Sequence, residues 1–218
     1  MIGLFGGTFD PVHCGHLRAA HEAWESLQLD QVLLVPCGDP PHRGRPHADG
    51  AQRLAWLREA IGDHPGLVAD DRELRRNGPS YSVDTLGELR AEYGPERPLL
   101  LLLGVDAFLG LPGWHRWQEI LEQAHIVVIH RPGATLPNPD SRGSTMERLL
   151  AERLCADNDG LQQRNAGCIR FLPITPLSIS SSQIRRLLAA GDDPRWLVPD
   201  SVHRQIRDAT AYRKSQRV

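Results

Sequence analysis

MIGLFGGTFDPVHCGH, residues 1–16, joins an apolar run to a turn built from Gly6, Gly7 and Pro11, and the turn ends on His13 and His16, three residues apart. Beyond it, apolar residues recur at helical spacing from Leu17 to Leu27, and a second apolar run covers Gln31–Pro36. Strand, turn, helix, strand is the signature of a βαβ unit. The pattern continues to the end of the chain. Ile2–Phe5, Gln31–Pro36, Leu67–Asp70, Leu99–Gly104, His125–His130 and Ile169–Pro173 read as strands. Most are unbroken apolar runs, as strands buried on both faces require. Between and after them Leu17–Leu27, Gln52–Ile61, Val83–Tyr93, Trp117–Ala124, Met146–Cys155, Gln183–Ala190 and Val202–Ala209 carry helical spacing. The expectation is an α/β fold, a Rossmann-like, doubly wound, mostly parallel sheet in a single domain spanning residues 1–218. In such sheets ligands sit beyond the carboxyl ends of the strands, where the opening turn lies. Two long loops, Cys37–Gly50 and Arg131–Ser144, read as binding loops or lids.

Composition narrows the classes of function. With 218 residues, 40% of them hydrophobic, the chain can bury a sizeable core. A formal charge of −2 offers no basic excess for tracking a nucleic-acid backbone, so nucleic acid is not an expected partner. No stretch approaches the roughly 20 apolar residues of a membrane span, and Met1-Ile2-Gly3 does not open a secretory leader. A soluble, cytoplasmic protein with no membrane partner is expected; self-association is left open. Cys14, Cys37, Cys155 and Cys168 show no Cys-x-x-Cys spacing and read as reduced thiols. Lys214 is the one lysine, so phosphate recognition falls to arginine, histidine, backbone N–H groups and helix ends.

That inventory discriminates between readings of the opening turn. Two histidines do not complete a zinc site, and Cys14 between them cannot readily aim at the same point. The glycine spacing departs from the Gly-x-Gly-x-x-Gly of dinucleotide-binding dehydrogenases, and a P-loop would need a lysine that is not there. What remains is a lysine-free phosphate cradle or a plain turn. For the cradle, Gly6 and Gly7 let backbone approach a ligand, a helix beginning near His16 presents unpaired N–H groups, and both imidazoles can donate to phosphate oxygens. Near the other end of the chain, Ser180, Ser181 and Ser182 precede a helix whose first turn carries Arg185. One serine suffices as a cap. Three, followed by a permanent cation, form a candidate second grip on an anion.

Taken together, these two segments resemble the T/H-x-G-H nucleotidylyltransferase superfamily: Thr8 to His16 matches its first motif, and Ser180-Ser181-Ser182-Gln183-Ile184-Arg185 its I-S-S/T-x-x-I-R motif. Gly6-Gly7-Thr8-Phe9-Asp10-Pro11 is similar to the bacterial nicotinate-nucleotide adenylyltransferase branch. The resemblance implies transfer of AMP from ATP to nicotinate mononucleotide in NAD biosynthesis, with pyrophosphate leaving and no covalent enzyme intermediate. It assigns His13, His16 and Arg185 to catalysis at the phosphates, and Gly6, Gly7, Thr8, Phe9, Gly104, Asp106, Ser180, Ser181 and Ser182 to ATP. Arg43, in Pro40-Pro41-His42-Arg43, would meet the acceptor phosphate. Backbone around Thr85, in Ser80-Tyr81-Ser82-Val83-Asp84-Thr85-Leu86, would meet the nicotinate carboxylate, although Asp84 would oppose it if it faced the site. Trp114 would stack on the pyridine and Trp117 join the core; on sequence grounds Asp106 serves equally as a ribose ligand or a helix cap. Mg2+ would arrive with ATP rather than in a protein cage. Rival readings are adenylyl transfer to nicotinamide mononucleotide or phosphopantetheine, a cytidylyltransferase, or a non-catalytic pyridine-nucleotide-binding module. Ser80–Leu86 and Trp114 weigh against the phosphopantetheine and cytidylyl readings, and intact His13, His16 and Arg185 against the last.

Overall fold

The computed structural model describes residues 1–40, 44–130, 133–138 and 143–212. In chain order they form β1 (Ile2–Gly7), α1 (Cys14–Ser26), β2 (Gln31–Pro36), α2 (Gly50–Ile61), β3 (Leu67–Ala69), α3 (Arg72–Arg75), α4 (Ser82–Tyr93), β4 (Leu99–Gly104), α5 (Val105–Leu109), a 3-10 turn (Leu111–Gly113), α6 (Trp117–Gln123), β5 (His125–His130), α7 (Thr145–Arg153), α8 (Asp159–Gln162), β6 (Ile169–Pro173), α9 (Ser181–Ala190), α10 (Asp200–Asp208) and a closing 3-10 turn (Thr210–Tyr212). The sheet order is β3-β2-β1-β4-β5-β6, and every neighbouring pair is parallel. The chain starts in the middle, winds outward one way, then returns to β4 and winds the other. The switch point therefore lies between β1 and β4, where a ligand crevice opens.

The unbroken apolar runs have a direct explanation. Successive side chains of a strand point to opposite faces, and here both faces are covered. Val32 and Leu34 of β2, Leu100 and Leu102 of β4, and Val127 and Ile129 of β5 pack in one core with Ala19, Ala20 and Ala23 of α1, Trp56 and Leu57 of α2, Ile184 of α9 and Val202 and Ile206 of α10. The intervening residues, Leu33, Val35, Leu99, Leu101, Leu103, Ile126 and Val128, pack in the other core against Val83, Leu86 and Leu89 of α4, Phe108 of α5, Ile120 and Leu121 of α6 and Leu150 of α7. Each fully buried leucine contributes about 1.5–3 kcal/mol relative to exposure, which is why a polar residue does not interrupt these strands.

Observed elements follow the sequence reading, with ends shifted by at most three residues. The short helices α3, α5 and α8 are additions, too brief for a periodic signal. One expectation is corrected: Cys155 and Cys168 are paired as a disulfide, with Cα atoms 5.9 Å apart. The cause is tertiary, since the Cys155 N–H donates to the Ile169 carbonyl at 2.8 Å and lays the end of α7 along β6. Cys14 and Cys37 are free thiols. Among the described residues no helix is long and apolar enough to cross a membrane.

Candidate active site

The carboxyl ends of β1, β2, β4, β5 and β6 open into one cleft of about 1410 Å³. Gly6 and Gly104, at the ends of the strands flanking the switch point, both face open space: a Cβ added to either would meet nothing within 4 Å. Backbone can therefore touch a ligand there. Gly7, Thr8 and Phe9 continue the same wall. Phe9 is buried with φ 47°, a left-handed conformation that turns the chain toward α1.

His13 is the N-cap of α1 and His16 its third residue. The two form a reciprocal capping box: each main-chain N–H donates to the other's Nδ1 at 3.3 Å. Their rings stack with centroids 3.6 Å apart, and the edge of Phe9 meets His16 at 5.0 Å. Because Nδ1 accepts, the proton of each neutral ring belongs on Nε2, leaving Nε2–H as the free donor of each ring. Burial pushes His13 down to about 4. His16 is held well below its ordinary value by burial and by the neighbouring imidazole. Both rings are thus neutral donors at neutral pH, and a bound polyanion would draw their pKa values upward. The start of α1 is less open than the sequence implied. The Cys14 N–H donates to Leu197 O at 3.0 Å and the His16 N–H is taken by His13, so Gly15 is left to face the cleft.

Against the histidine turn stands the start of α9, with three serines doing three different things. Ser180 caps the helix by accepting from the Gln183 N–H at 3.2 Å. Ser181 Oγ donates to Pro11 O at 2.9 Å, fastening α9 to the histidine turn. Ser182 Oγ accepts from Arg185 Nη2 at 3.1 Å, while Arg185 Nη1 donates to Asp10 O at 2.6 Å. The main-chain N–H groups of Ser181 and Ser182 precede the helix's own hydrogen-bond ladder, and both residues line the cleft. His13, His16, all three serines and Arg185 line one cavity, so segments from opposite ends of the sequence meet at a single candidate site.

The remaining sequence candidates divide. Gly104, Asp106 and Trp114 line the cleft, with Asp106 exposed in the first turn of α5 and Trp114 half-buried. Trp117 does not line it and packs against the second core. Thr85 is fully buried and does not line the cleft. Its N–H donates to Tyr81 O, and its hydroxyl donates to Glu73 at 2.7 Å and accepts from Arg76 at 3.1 Å. Within that segment the cleft is met instead by Ser80, Tyr81 and Ser82. Asp84 pairs with Arg116 at 3.4 Å, outside the cleft lining. Arg43 lies outside the described residues.

Several groups were not legible as site residues. Arg45 and His47 line the cleft from the loop after β2. Tyr81 and His115, both lining the cleft, stack with ring centroids 4.2 Å apart. Beneath the turn, the buried Arg53 spans three carbonyls, Thr8 O at 2.8 Å, Cys37 O at 2.7 Å and Ala48 O at 3.2 Å. It links the loops after β1 and β2. Helical spacing marks Arg53 only as an ordinary charge on α2, and nothing local distinguishes it.

Comparison with known proteins identifies the family and the fold. The sequence model of the cytidylyltransferase-like family matches residues 4–187. A probable nicotinate-nucleotide adenylyltransferase of Halorhodospira halophila is 48% identical over 214 residues, covering 97% of this chain and 94% of the relative. A protein of the same name from Pseudomonas syringae pv. tomato is 52% identical over 201 residues, covering 92% and 88%. Among solved structures, a putative nicotinate-nucleotide adenylyltransferase from Vibrio parahaemolyticus superposes with TM-score 0.64 at 17% identity, over 98% of this chain and 96% of that one. The Plasmodium falciparum nicotinic acid mononucleotide adenylyltransferase complexed with NaAD gives 0.67 at 16%, over 94% and 93%. At such identities the two structures speak for the fold, while the sequence relatives speak for the family. The chain belongs to the cytidylyltransferase-like family, on the branch of the nicotinate-nucleotide adenylyltransferases.

Proposed function

We infer that the chain transfers the adenylyl group of ATP to the 5′-phosphate of nicotinate mononucleotide, giving deamido-NAD, the nicotinate adenine dinucleotide, and pyrophosphate. One observation supports the reading beyond the relatives' names: the histidine turn and the start of α9 are fastened together at the cleft by Ser181 on Pro11 and Arg185 on Asp10. Facing imidazole donors, helix N–H groups and a guanidinium suit a triphosphate.

The reaction is one displacement at the α-phosphorus. An oxygen of the acceptor phosphate forms the new P–O bond, and the bond to the bridging α,β-oxygen breaks with its electron pair leaving on pyrophosphate. Positioning and charge stabilisation supply most of the acceleration in such chemistry. His13 and His16 donate from Nε2 to oxygens whose charge grows during transfer. Arg185 and the Ser181 and Ser182 N–H groups hold the leaving pyrophosphate from the other wall. Gly6, Gly7, Thr8 and Phe9 bring backbone against the nucleotide, Gly104 and Asp106 meet the ribose, and Trp114 stacks on the pyridine. Arg45 joins Arg43 as a cation of the acceptor-side loop. The nicotinate carboxylate is met at the start of α4, in the segment before Thr85, where Ser82 lines the cleft and its N–H precedes the helical ladder.

Among the described residues no group of three or more His, Cys, Asp or Glu side chains could hold a metal ion. Of the cleft carboxylates, Asp10 is buried and already hydrogen-bonded, and Asp106 is exposed. That donor set fits a Mg2+ carried in on the triphosphate with most of its waters. A cytoplasmic location is the matching reading, supported by ATP and a soluble mononucleotide as the inferred substrates.

The test is pyrophosphate release from ATP with Mg2+, nicotinate mononucleotide and nicotinamide mononucleotide being offered separately. Release with the acid, and a kcat/KM for it at least about tenfold above that for the amide, is expected, since one charge-assisted hydrogen bond supplies that ratio. Equal turnover would remove the carboxylate argument. Release with neither would overturn the assignment.

A further inference from the structure

The histidine turn hangs on a buried carboxylate. Asp10, 2% exposed, lies three residues before His13. Its Oδ1 accepts from the Ala48 N–H at 3.1 Å and the Tyr212 hydroxyl at 2.7 Å. Its Oδ2 accepts from the His47 N–H at 2.8 Å and lies 3.2 Å from His47 Nδ1. Its carbonyl accepts from Arg185, whose guanidinium approaches Oδ2 at 3.8 Å. Asp10 therefore joins four separate pieces of chain: the histidine turn, the loop after β2, α9 and the closing 3-10 turn. Tyr212 is the surprising member. It is 202 residues away in sequence, it is buried, and its ring packs against Trp56 at 5.7 Å.

We propose that Tyr212 is a positioning residue for adenylyl transfer, acting through Asp10 to hold the histidine turn and the loop after β2 in register with each other. Packing alone would need only the ring, and phenylalanine would supply it. The hydroxyl instead ends on the carboxylate that sets the main chain entering His13. Burial alone would raise the Asp10 pKa; hydrogen bonds from the His47 N–H, Tyr212, the Ala48 N–H and the His47 ring outweigh it and hold the group below its ordinary value. The charged and titratable groups facing this carboxylate are His47, Tyr212 and Arg185. Removing the hydroxyl withdraws one of the hydrogen bonds that favour the charged form, so the folded-state pKa of Asp10 rises. The network is intact above that pKa and lost as pH falls through it, and the acid limb of the rate profile moves to higher pH.

The inference rests on the adenylyltransferase reading, and pyrophosphate release by the unaltered protein is measured first so that failure of that reading is seen separately. In Tyr212→Phe, kcat is expected to fall about tenfold, since small displacements of reacting groups are costly. The acid limb of kcat/KM should shift upward. Asp10→Asn provides the second variant: if Tyr212 acts through Asp10, adding Tyr212→Phe to Asp10→Asn changes kcat by less than about twofold. An unchanged kcat and pH profile in Tyr212→Phe, with at most a lower Tm, would reduce Tyr212 to a packing residue and overturn the proposal. Independent, multiplying losses in the double variant would overturn it as well.

Discussion

Replacing His16 with alanine lowers kcat for pyrophosphate release about 10²–10³-fold, the usual loss for one donor aimed at developing charge, while the protein stays folded. The ring is held on three sides, by His13 stacked at 3.6 Å and by Phe9 and Phe5 at 5.0 and 6.4 Å. That packing leaves little rotamer freedom, so the Nε2–H is already aimed before substrate arrives. The stability loss is confined to half of the capping box, about 1 kcal/mol. His13→Ala is the less informative change, because it removes the N-cap as well as a donor. The KM for ATP should move much less than kcat if the donor acts mainly in the transition state. His16→Asn, which keeps an N–H donor at shorter reach, should recover part of the rate. Steady-state kinetics beside a melting curve separate these outcomes, and near-normal turnover in His16→Ala would remove His16 from the mechanism.

Arg53→Leu should damage the fold more than any single change among the cleft residues. Arg53 is 1% exposed, and its guanidinium serves carbonyls of Thr8, Cys37 and Ala48. Leucine matches some of the volume and none of the donors. Each carbonyl stranded away from water costs about 1–3 kcal/mol, and three amount to several kcal/mol. Set against the roughly 5–15 kcal/mol that holds a domain together, such a loss lowers Tm by about 10 °C or more at this chain length. Arg53→Lys keeps the charge but reaches fewer of the carbonyls, and should fall between. Thermal denaturation reads both; a shift below about 3 °C for Arg53→Leu would mean that water replaces the guanidinium and that the two loops do not depend on it.

Much of the fold was legible because burial on both faces writes itself as long apolar runs. Leu99–Gly104 and His125–His130 carry that signal in full, and both strands occur at those boundaries. Likewise the helix start at Ser180–Arg185, which lines the cleft, is marked in the sequence by serine before a helix and arginine in its first turn, which are local chemistry. What stayed hidden depends on contacts between distant residues. Arg53 meets the Thr8 carbonyl and Tyr212 meets Asp10 only after the sheet is wound, and Cys155 meets Cys168 only because α7 lies along β6. Thr85 is a case of helical phase: its side chain turns inward to Glu73 and its N–H goes to Tyr81, so that Ser80, Tyr81 and Ser82 line the cleft in its place.

A crystal structure with a non-hydrolysable ATP analogue and Mg2+ tests the arrangement most directly. The triphosphate should bridge the cleft, with oxygens about 3 Å from His16 Nε2 on one wall and from the Ser181 or Ser182 N–H on the other. A triphosphate bound to one wall alone, or a metal ion held between the two imidazoles, would contradict it.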